Sequence, residues 1–277
     1  MKEKKMKVNL LIIITLLFFT GCSESVDSNL FLKRNGLRYL PNSDEPYSGS
    51  AFSLYADGQK RSETNWEDGK LDGELLSWYE NGQMETKGNF TEGRQDGRIT
   101  KWYKNGQKEE ESNWENDNKD GLVTLWNEKG QIISKIEYNN NVLDGLSIQW
   151  YANGQKKLES NWNDDELDGI SIMWYESGQK KSESKYNNNV EDGLSIQWYT
   201  NGQKEQELNW RDGKLDGISI MWYESGQKKS ESNLKDGNSH GKTTYWYENG
   251  QKHMEGYYKN GKVVGVPIQW DENGQEK

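Results

Sequence analysis

The groups that could do chemistry in this 277-residue chain are unevenly supplied: two histidines, one cysteine and 45 carboxylates. His240 stands where most of the repeating segments carry aspartate, and His253 where they carry Lys or Glu, so both read as structural. No G-x-S-x-G occurs, and nothing pairs the lone cysteine with a base, so nucleophilic catalysis has no support. The acidic turns NDDELDG (163–169) and NWENDNKDG (113–121) invite a calcium reading. Neither places a glutamate where an EF-hand loop needs its bidentate ligand, and Asp or Asn before glycine is ordinary turn chemistry because both tolerate positive φ. Paired carboxylates for an envelope hydrolase stay open as an alternative, although nothing singles out one pair. The expectation is a non-enzymatic protein with no catalytic residue, no metal and no cofactor.

Non-covalent chemistry is better supplied. A tyrosine follows a tryptophan at Tyr79, Tyr103, Tyr151, Tyr175, Tyr199, Tyr223 and Tyr247. Spaced at two strand separations, about 10 Å, and expected on a charged face among Lys and Glu, these form a candidate binding strip for a protein or a glycan strand. The competing reading is that they cover their cross-strand neighbours. The tryptophans read as packing residues, and their face, if uncovered, as an apolar patch that would attract a partner or a second copy. A formal charge of −10 argues against nucleic acid and anionic lipid as partners, since both ask for clustered Lys and Arg.

These residues owe their positions to a repeat. Glycines of an N-G-Q type turn recur from Gly58 to Gly274 in steps of 24, and a second series, mostly after Asp, runs from Gly49 to Gly265 at the same step. All 13 tryptophans fall in two registers, one from Trp78 to Trp270 and one at Trp66, Trp114, Trp162 and Trp210. In the second register tryptophan returns only every other unit, and LDGISIMWYESGQKKSES stands at both 167–184 and 215–232, so the duplicated cassette is a pair of units. Such phasing outweighs a composition that is only 31% hydrophobic and would otherwise suggest disorder.

Within one unit, Ile170, Ile172 and Trp174 alternate with Ser171, Met173 and Tyr175, the period of a strand. YESGQ then predicts a three-residue hairpin loop with glycine in the left-handed position. That loop predicts Ile172 opposite Ser182, with Ser184 and Tyr186 on the tryptophan face; likewise Leu146, Ile148, Trp150, Leu158, Ser160 and Trp162 should share one face. A two-residue loop would instead bring Lys181, Glu183 and Lys185 to that face. Seven-residue connections such as NNNVEDG join the hairpins. The fold class is all-β, an elongated single-layer antiparallel meander of ten 24-residue units with an aromatic ladder on one face, about 95 Å long for twenty strands. Pro41 and Pro46 should block pairing at the opening edge.

The chain opens MKEKKMKVNLLIIITLLFFTGCSES: lysines, a short apolar run, small residues and then Cys22. The run is too short to span a bilayer and has the layout of a secretory signal. FTGC resembles a bacterial lipobox, which implies cleavage before Cys22 and lipid attachment at its sulfur. Loss of residues 1–21 takes away Lys2, Lys4, Lys5, Lys7 and Glu3 and brings the formal charge to about −13. The domain reading is a signal peptide (1–21), a lipidated N-terminus and tether (22–36) and a repeat domain (37–277). The expected location is the bacterial cell envelope, outer membrane or cell surface, with the lipid as the sole membrane contact.

The unit Gly-x4-Trp-Tyr-x-Asn-Gly-Gln-x3-Glu-x2-Trp-x-Asp-Gly-x2-Asp-Gly resembles the MORN-repeat variant family over residues 49–277, whose bacterial members are commonly labelled YwqK-type antitoxins. The resemblance implies a β-hairpin repeat scaffold and a protein that neutralises a partner. The leading expectation is therefore a lipid-anchored scaffold binding a protein, with an antitoxin-like or immunity-like role. Binding of cell-wall or surface polysaccharide is the alternative.

Overall fold

A computed structural model describes residues 24–277; the leader and Cys22 lie outside the described residues. From Gly49–Leu54 to Lys262–Gln269 each strand pairs antiparallel with its neighbours in sequence, giving the expected meander within one 23-stranded sheet. Two turns alternate along it. At one edge Tyr175 N–H donates to Gln179 O (2.9 Å) and Gly178 N–H to Tyr175 O (2.9 Å), with Gly178 at φ 90°. This is the predicted three-residue loop. At the other edge Asn188 (φ 50°) and Asn189 (φ 64°) form a two-residue turn closed by the pair Asn187 and Val190. Both central residues are left-handed, so the turn is of the I′ type that asparagine tolerates. The expected seven-residue connection thus shrinks to two residues, and the rest of NNNVEDG lies in strands.

The predicted facing of side chains is reversed. Met173, not Ile172, stands opposite Ser182; Ile172 faces Glu183, Ser171 faces Ser184 and Gly169 faces Tyr186. Trp174 pairs with Lys180, so Lys181 is one residue too many and forms a bulge beside the turn. The loop is as the sequence predicts, but this second irregularity shifts the return strand by one residue and exchanges its faces. One face, the serine face, carries Ser171, Met173, Tyr175, Ser182, Ser184 and Tyr186. The other, the isoleucine face, carries Ile170, Ile172, Trp174, Glu183 and Lys185. The same holds for residues 145–162, where Ser147 faces Ser160 and Ile148 faces Glu159. The two aromatic registers therefore lie on opposite faces, and the single aromatic ladder is not formed.

A one-layer sheet has no second layer to bury its residues, so the serine face supplies its own cover. Trp162 Nε1–H donates to Ser160 Oγ (2.9 Å), Trp114 to Ser112 (2.8 Å) and Trp66 to Thr64 Oγ1 (2.8 Å). Each indole thereby engages a small residue two positions upstream in its own strand, and Ser112 and Ser160 are 0% and 2% exposed. Small side chains are needed because a ring takes the space above them. At the fourth such site Leu208 replaces the serine, and the buried Trp210 Nε1–H has no acceptor.

The two ends are blunted differently. At the first, Val26–Asp27 pairs parallel with Gly49–Leu54, and Phe31 packs against Tyr47 (4.9 Å between ring centroids) and Trp66 (5.3 Å). The segment read as a tether is, from Val26 onward, part of this cap. A separate hairpin, Leu32–Arg34 with Leu37–Tyr39, completes it, with Arg38 N–H donating to Gly69 O at 2.9 Å. At the other end Lys262–Gln269 pairs with Lys252–Lys259 on one side. Trp270 N–H points back to His253 O, and Gln269 O points outward to accept from Lys277 N–H. Alternation then turns the nitrogen of Pro267 outward, where it has no N–H to offer a new strand.

Two outcomes follow. Ser160→Ala leaves the Trp162 N–H buried and unpaired, at a cost of about 1–3 kcal/mol, read as a lower midpoint in urea unfolding. Pro267→Ser restores an outward N–H, and sedimentation velocity should then show associated species at concentrations where the parent protein shows none.

Candidate functional site

The tyrosines expected to form a binding strip sit beside the three-residue loops, and their placement follows from the turn. Tyr175 closes its loop with Gln179 and so projects at the sheet margin, on the serine face rather than among the Glu and Lys of the isoleucine face. From there its O–H donates to Trp198 O of the next unit at 2.7 Å. The same bond runs from Tyr79 to Trp102 (2.7 Å), Tyr103 to Trp126 (2.8 Å) and Tyr151 to Trp174 (2.8 Å). It recurs from Tyr199 to Trp222 (2.9 Å), Tyr223 to Trp246 (2.9 Å) and Tyr247 to Trp270 (3.1 Å). Burial raises the pKa of Tyr79, Tyr103, Tyr175 and Tyr199, with nearby carboxylates such as Glu109 and Glu205 adding to the effect, so the phenols remain neutral donors.

The ring faces are engaged as well. Lys157 lies over Tyr151 (5.9 Å to the centroid), Lys181 over Tyr175 (5.8 Å) and Lys229 over Tyr223 (5.5 Å), within cation–π range. His253 stacks 4.4 Å from Tyr247, and His240 Nδ1 lies 3.2 Å from Asn260 Oδ1. The tyrosines form one row, as expected, yet they converge on no single point. Ahead of the row, between Tyr55 and Tyr79, these two rings with Glu80, Asn81, Glu85 and Lys104 line an open groove of about 440 Å³.

The isoleucine face holds a second repeating arrangement that sequence reasoning missed. Lys156 lies over Trp174 of the following unit (5.5 Å), Lys180 over Trp198 (5.8 Å) and Lys204 over Trp222 (5.5 Å). Each of these lysines also pairs with the glutamate three residues on, as Lys180 does with Glu183 at 2.5 Å. The recurring G-Q-K-x-x-E was the available signal; it only acquires meaning once the bulge puts Lys180 and Glu183 on one face.

Glu159, Glu183 and Glu207 are paired with lysines, and Asp164, Asp165 and Asp212 lie at turns. Burial raises the pKa of Glu110, but the hydrogen bond and charge of Lys101, 3.1 Å away, outweigh it and hold the group below the usual carboxylate range. It is thus a bound anion at neutral pH, not a poised acid. Among the described residues no group of three or more His, Cys, Asp or Glu could hold a metal ion, and no helix is long and apolar enough to cross a membrane.

Tyr175→Phe removes one unit-to-unit bond and leaves Trp198 O underbonded. The expected loss is about 0.5–1.5 kcal/mol, concentrated in the adjoining strands and visible as faster amide hydrogen exchange there than at distant units.

No curated protein matches the chain. Among solved structures, it is similar at 10% identity to a chain described as "Crystal Structure of TcdB2-TccC3", covering 85% of this chain and 17% of that one with a TM-score of 0.19. A second, "Crystal Structure of TcdB2-TccC3-Cdc42", gives 10% identity, 89% and 16% coverage and a TM-score of 0.18. This chain spans about a sixth of either, and superpositions so loose carry no argument. The model of the MORN repeat variant matches eight consecutive times, at residues 71–92, 95–116, 119–140, 143–164, 167–188, 191–212, 215–236 and 239–264. With matches over more than half of its length and the hairpin unit recurring in step with them, the chain belongs to the MORN repeat variant family.

Proposed function

We propose that this protein is a non-enzymatic repeat scaffold that binds another protein, tethered to the bacterial envelope through lipid on Cys22 and acting in an antitoxin-like or immunity-like role. One observation carries the reading: the same surface is presented again every 24 residues without insertion, so contacts multiply along the array instead of converging on a centre. Tyrosine hydroxyls and most lysines are spent within the scaffold, which leaves shape, exposed apolar side chains and net acidity as the means of recognition. The leader, the lipobox-like FTGC and the absence of disulfide partners for Cys22 fit a tethered envelope protein.

A second reading, binding of cell-wall polysaccharide, draws on the groove between Tyr55 and Tyr79, where ring faces sit beside Glu80, Asn81 and Glu85. A deletion series separates the readings. Removing residues 145–192, one complete pair of units, should weaken binding of the partner that co-purifies from envelope extracts by about tenfold or more, as loss of avidity requires. Retention of that partner at full affinity, or its absence from the parent protein, would count against a protein scaffold. Sedimentation with insoluble wall glycan that survives deletion of 145–192 but not Glu80→Ala with Glu85→Ala would favour the groove. Turnover abolished by one carboxylate substitution would make the protein an enzyme.

A further inference from the structure

The isoleucine face carries an apolar strip that the fold does not use. Leu122, Ile170, Leu194 and Ile218 are 40%, 45%, 44% and 48% exposed, and the half-buried Leu146 completes the row. Beside it run the half-buried Ile148, Ile172, Ile196 and Ile220. A recess of about 160 Å³ between two units is lined by Ile170, Glu183, Lys185, Leu194 and Ile196. The same repeat position holds Ser50, Glu74 and Arg98 before the strip and Lys242 after it, all in strands of the same sheet. The architecture therefore accepts polar residues there, and the five apolar ones are not a requirement of folding. The intervening strands place Glu137, Asn161, Lys185 and Asn209 opposite Leu122, Leu146, Ile170 and Leu194, so the strip is a row of exposed apolar side chains at two-strand intervals with polar ones between.

The two margins of the strip differ in charge. Toward the three-residue loops, Glu159, Glu183 and Glu207 are each neutralised by Lys156, Lys180 and Lys204. Toward the two-residue turns stands a row of aspartates two positions before each apolar residue: Asp120, Asp144, Asp168, Asp192 and Asp216. Two of them are placed by their partners: Asp144 accepts from Asn139 (3.3 Å) and Asp216 pairs with Arg211 (3.3 Å). Among the described residues, Asp216 alone in this row has an ion-pair partner within 4.0 Å. The exposed Asp164, Asp165 and Asp212 extend the acidity at the turns. One flank of the strip is thus mainly acidic, with Asp216 alone of its aspartate row in an ion pair.

We propose that this strip docks a basic amphipathic α-helix of a partner protein, laid across the strands. The inference rests on the protein-binding reading above and names the chemistry of its partner. Successive apolar residues are two strand separations apart, about 9.6 Å, while seven residues of helix rise about 10.5 Å. A helix tilted by about 24° from the strip axis advances one heptad per unit along the strip as it crosses it. Four steps from Leu122 to Ile218 span about 38 Å along the strip, which at that tilt calls for about 28 helical residues, four heptads. Lys and Arg along one flank would then face the aspartate row. A helix suits the face because an exposed sheet surface is ordinarily covered by one, whereas an extended strand would need a free sheet edge.

The probe is a synthetic four-heptad peptide with a leucine stripe and a lysine flank, titrated into the full chain by calorimetry beside a glutamate-flank peptide and a stripe-scrambled peptide. The lysine peptide should bind, more weakly as salt rises, and both controls at least tenfold more weakly. The combined variant Ile170→Ser, Leu194→Ser and Ile218→Ser should lose at least tenfold in affinity with its thermal midpoint kept, since other units carry polar residues at this position. No binding of the lysine peptide, equal binding of the glutamate peptide, or full affinity in the combined variant would overturn the proposal. So would capture by anionic lipid vesicles, or self-association, if abolished by the same three substitutions, because the strip would then belong to a membrane or a second copy. If the co-purifying envelope partner binds the variant undiminished, this docking site is wrong and the scaffold reading stands; if no such partner exists, the scaffold reading fails.

Discussion

The residue bulged beside each three-residue loop decides which side chains share a face. With Lys181 opposite Met173 alongside Ser182, the return strand is shifted by one position, and Ser184 meets Ser171 instead of Ile170. Every later feature depends on that shift. It brings small hydroxyl residues together under the second aromatic register, puts Tyr175 on their side, and leaves Ile170, Ile172 and Trp174 among Lys and Glu. Because the bulge recurs at the same place in successive units, an error of register in one hairpin would put its neighbour's ladder out of phase as well.

A sheet of one layer must find within that layer what other folds obtain from a second. The serine face does so with side chains that reach along the array. Tyr175 bonds Trp198 O, 23 residues away, and Asn189 both donates its N–H to Leu167 O (2.9 Å) and accepts from Leu167 N–H through Oδ1 (2.7 Å). One set joins units at each margin. Stability is then a sum of neighbour contacts, as in other repeat arrays. The isoleucine face is held more lightly, by lysines over tryptophans and partly exposed ion pairs worth little each, and for that reason has apolar surface to spare.

The 48-residue period acquires a physical meaning in the same geometry. A tryptophan in the second register accompanies Thr64, Ser112 or Ser160 two positions earlier, and the hydroxyl accepts its indole proton. Phe90, in an intervening unit, has no N–H or O–H to place and follows Gly88 instead of a hydroxyl residue. Trp210 breaks the pairing by following Leu208, and it is the one whose indole nitrogen is left buried without a partner. Duplicating units in pairs keeps ring and hydroxyl together; a single change at either position separates them.

The repeat, its strand content and its loops were all legible in the amino-acid sequence, because spacing and turn residues are local quantities. Asn-Asn at 188–189 and Ser-Gly at 177–178 specify their turns without reference to anything distant. The two-residue length of the turn at Asn188 was readable in principle, but the Asp-Gly that follows mimics a loop while it lies in a strand. What the sequence could not decide was parity, since one extra residue on one strand exchanges the faces and leaves the pattern of letters unchanged. Only the paired structure shows that Tyr175 is bonded to the next unit, that the two aromatic registers are separated, and that Leu122, Ile170, Leu194 and Ile218 share an exposed row. Those facts depend on which strand lies opposite which residue, and that is settled by the hydrogen-bonded ladder across units.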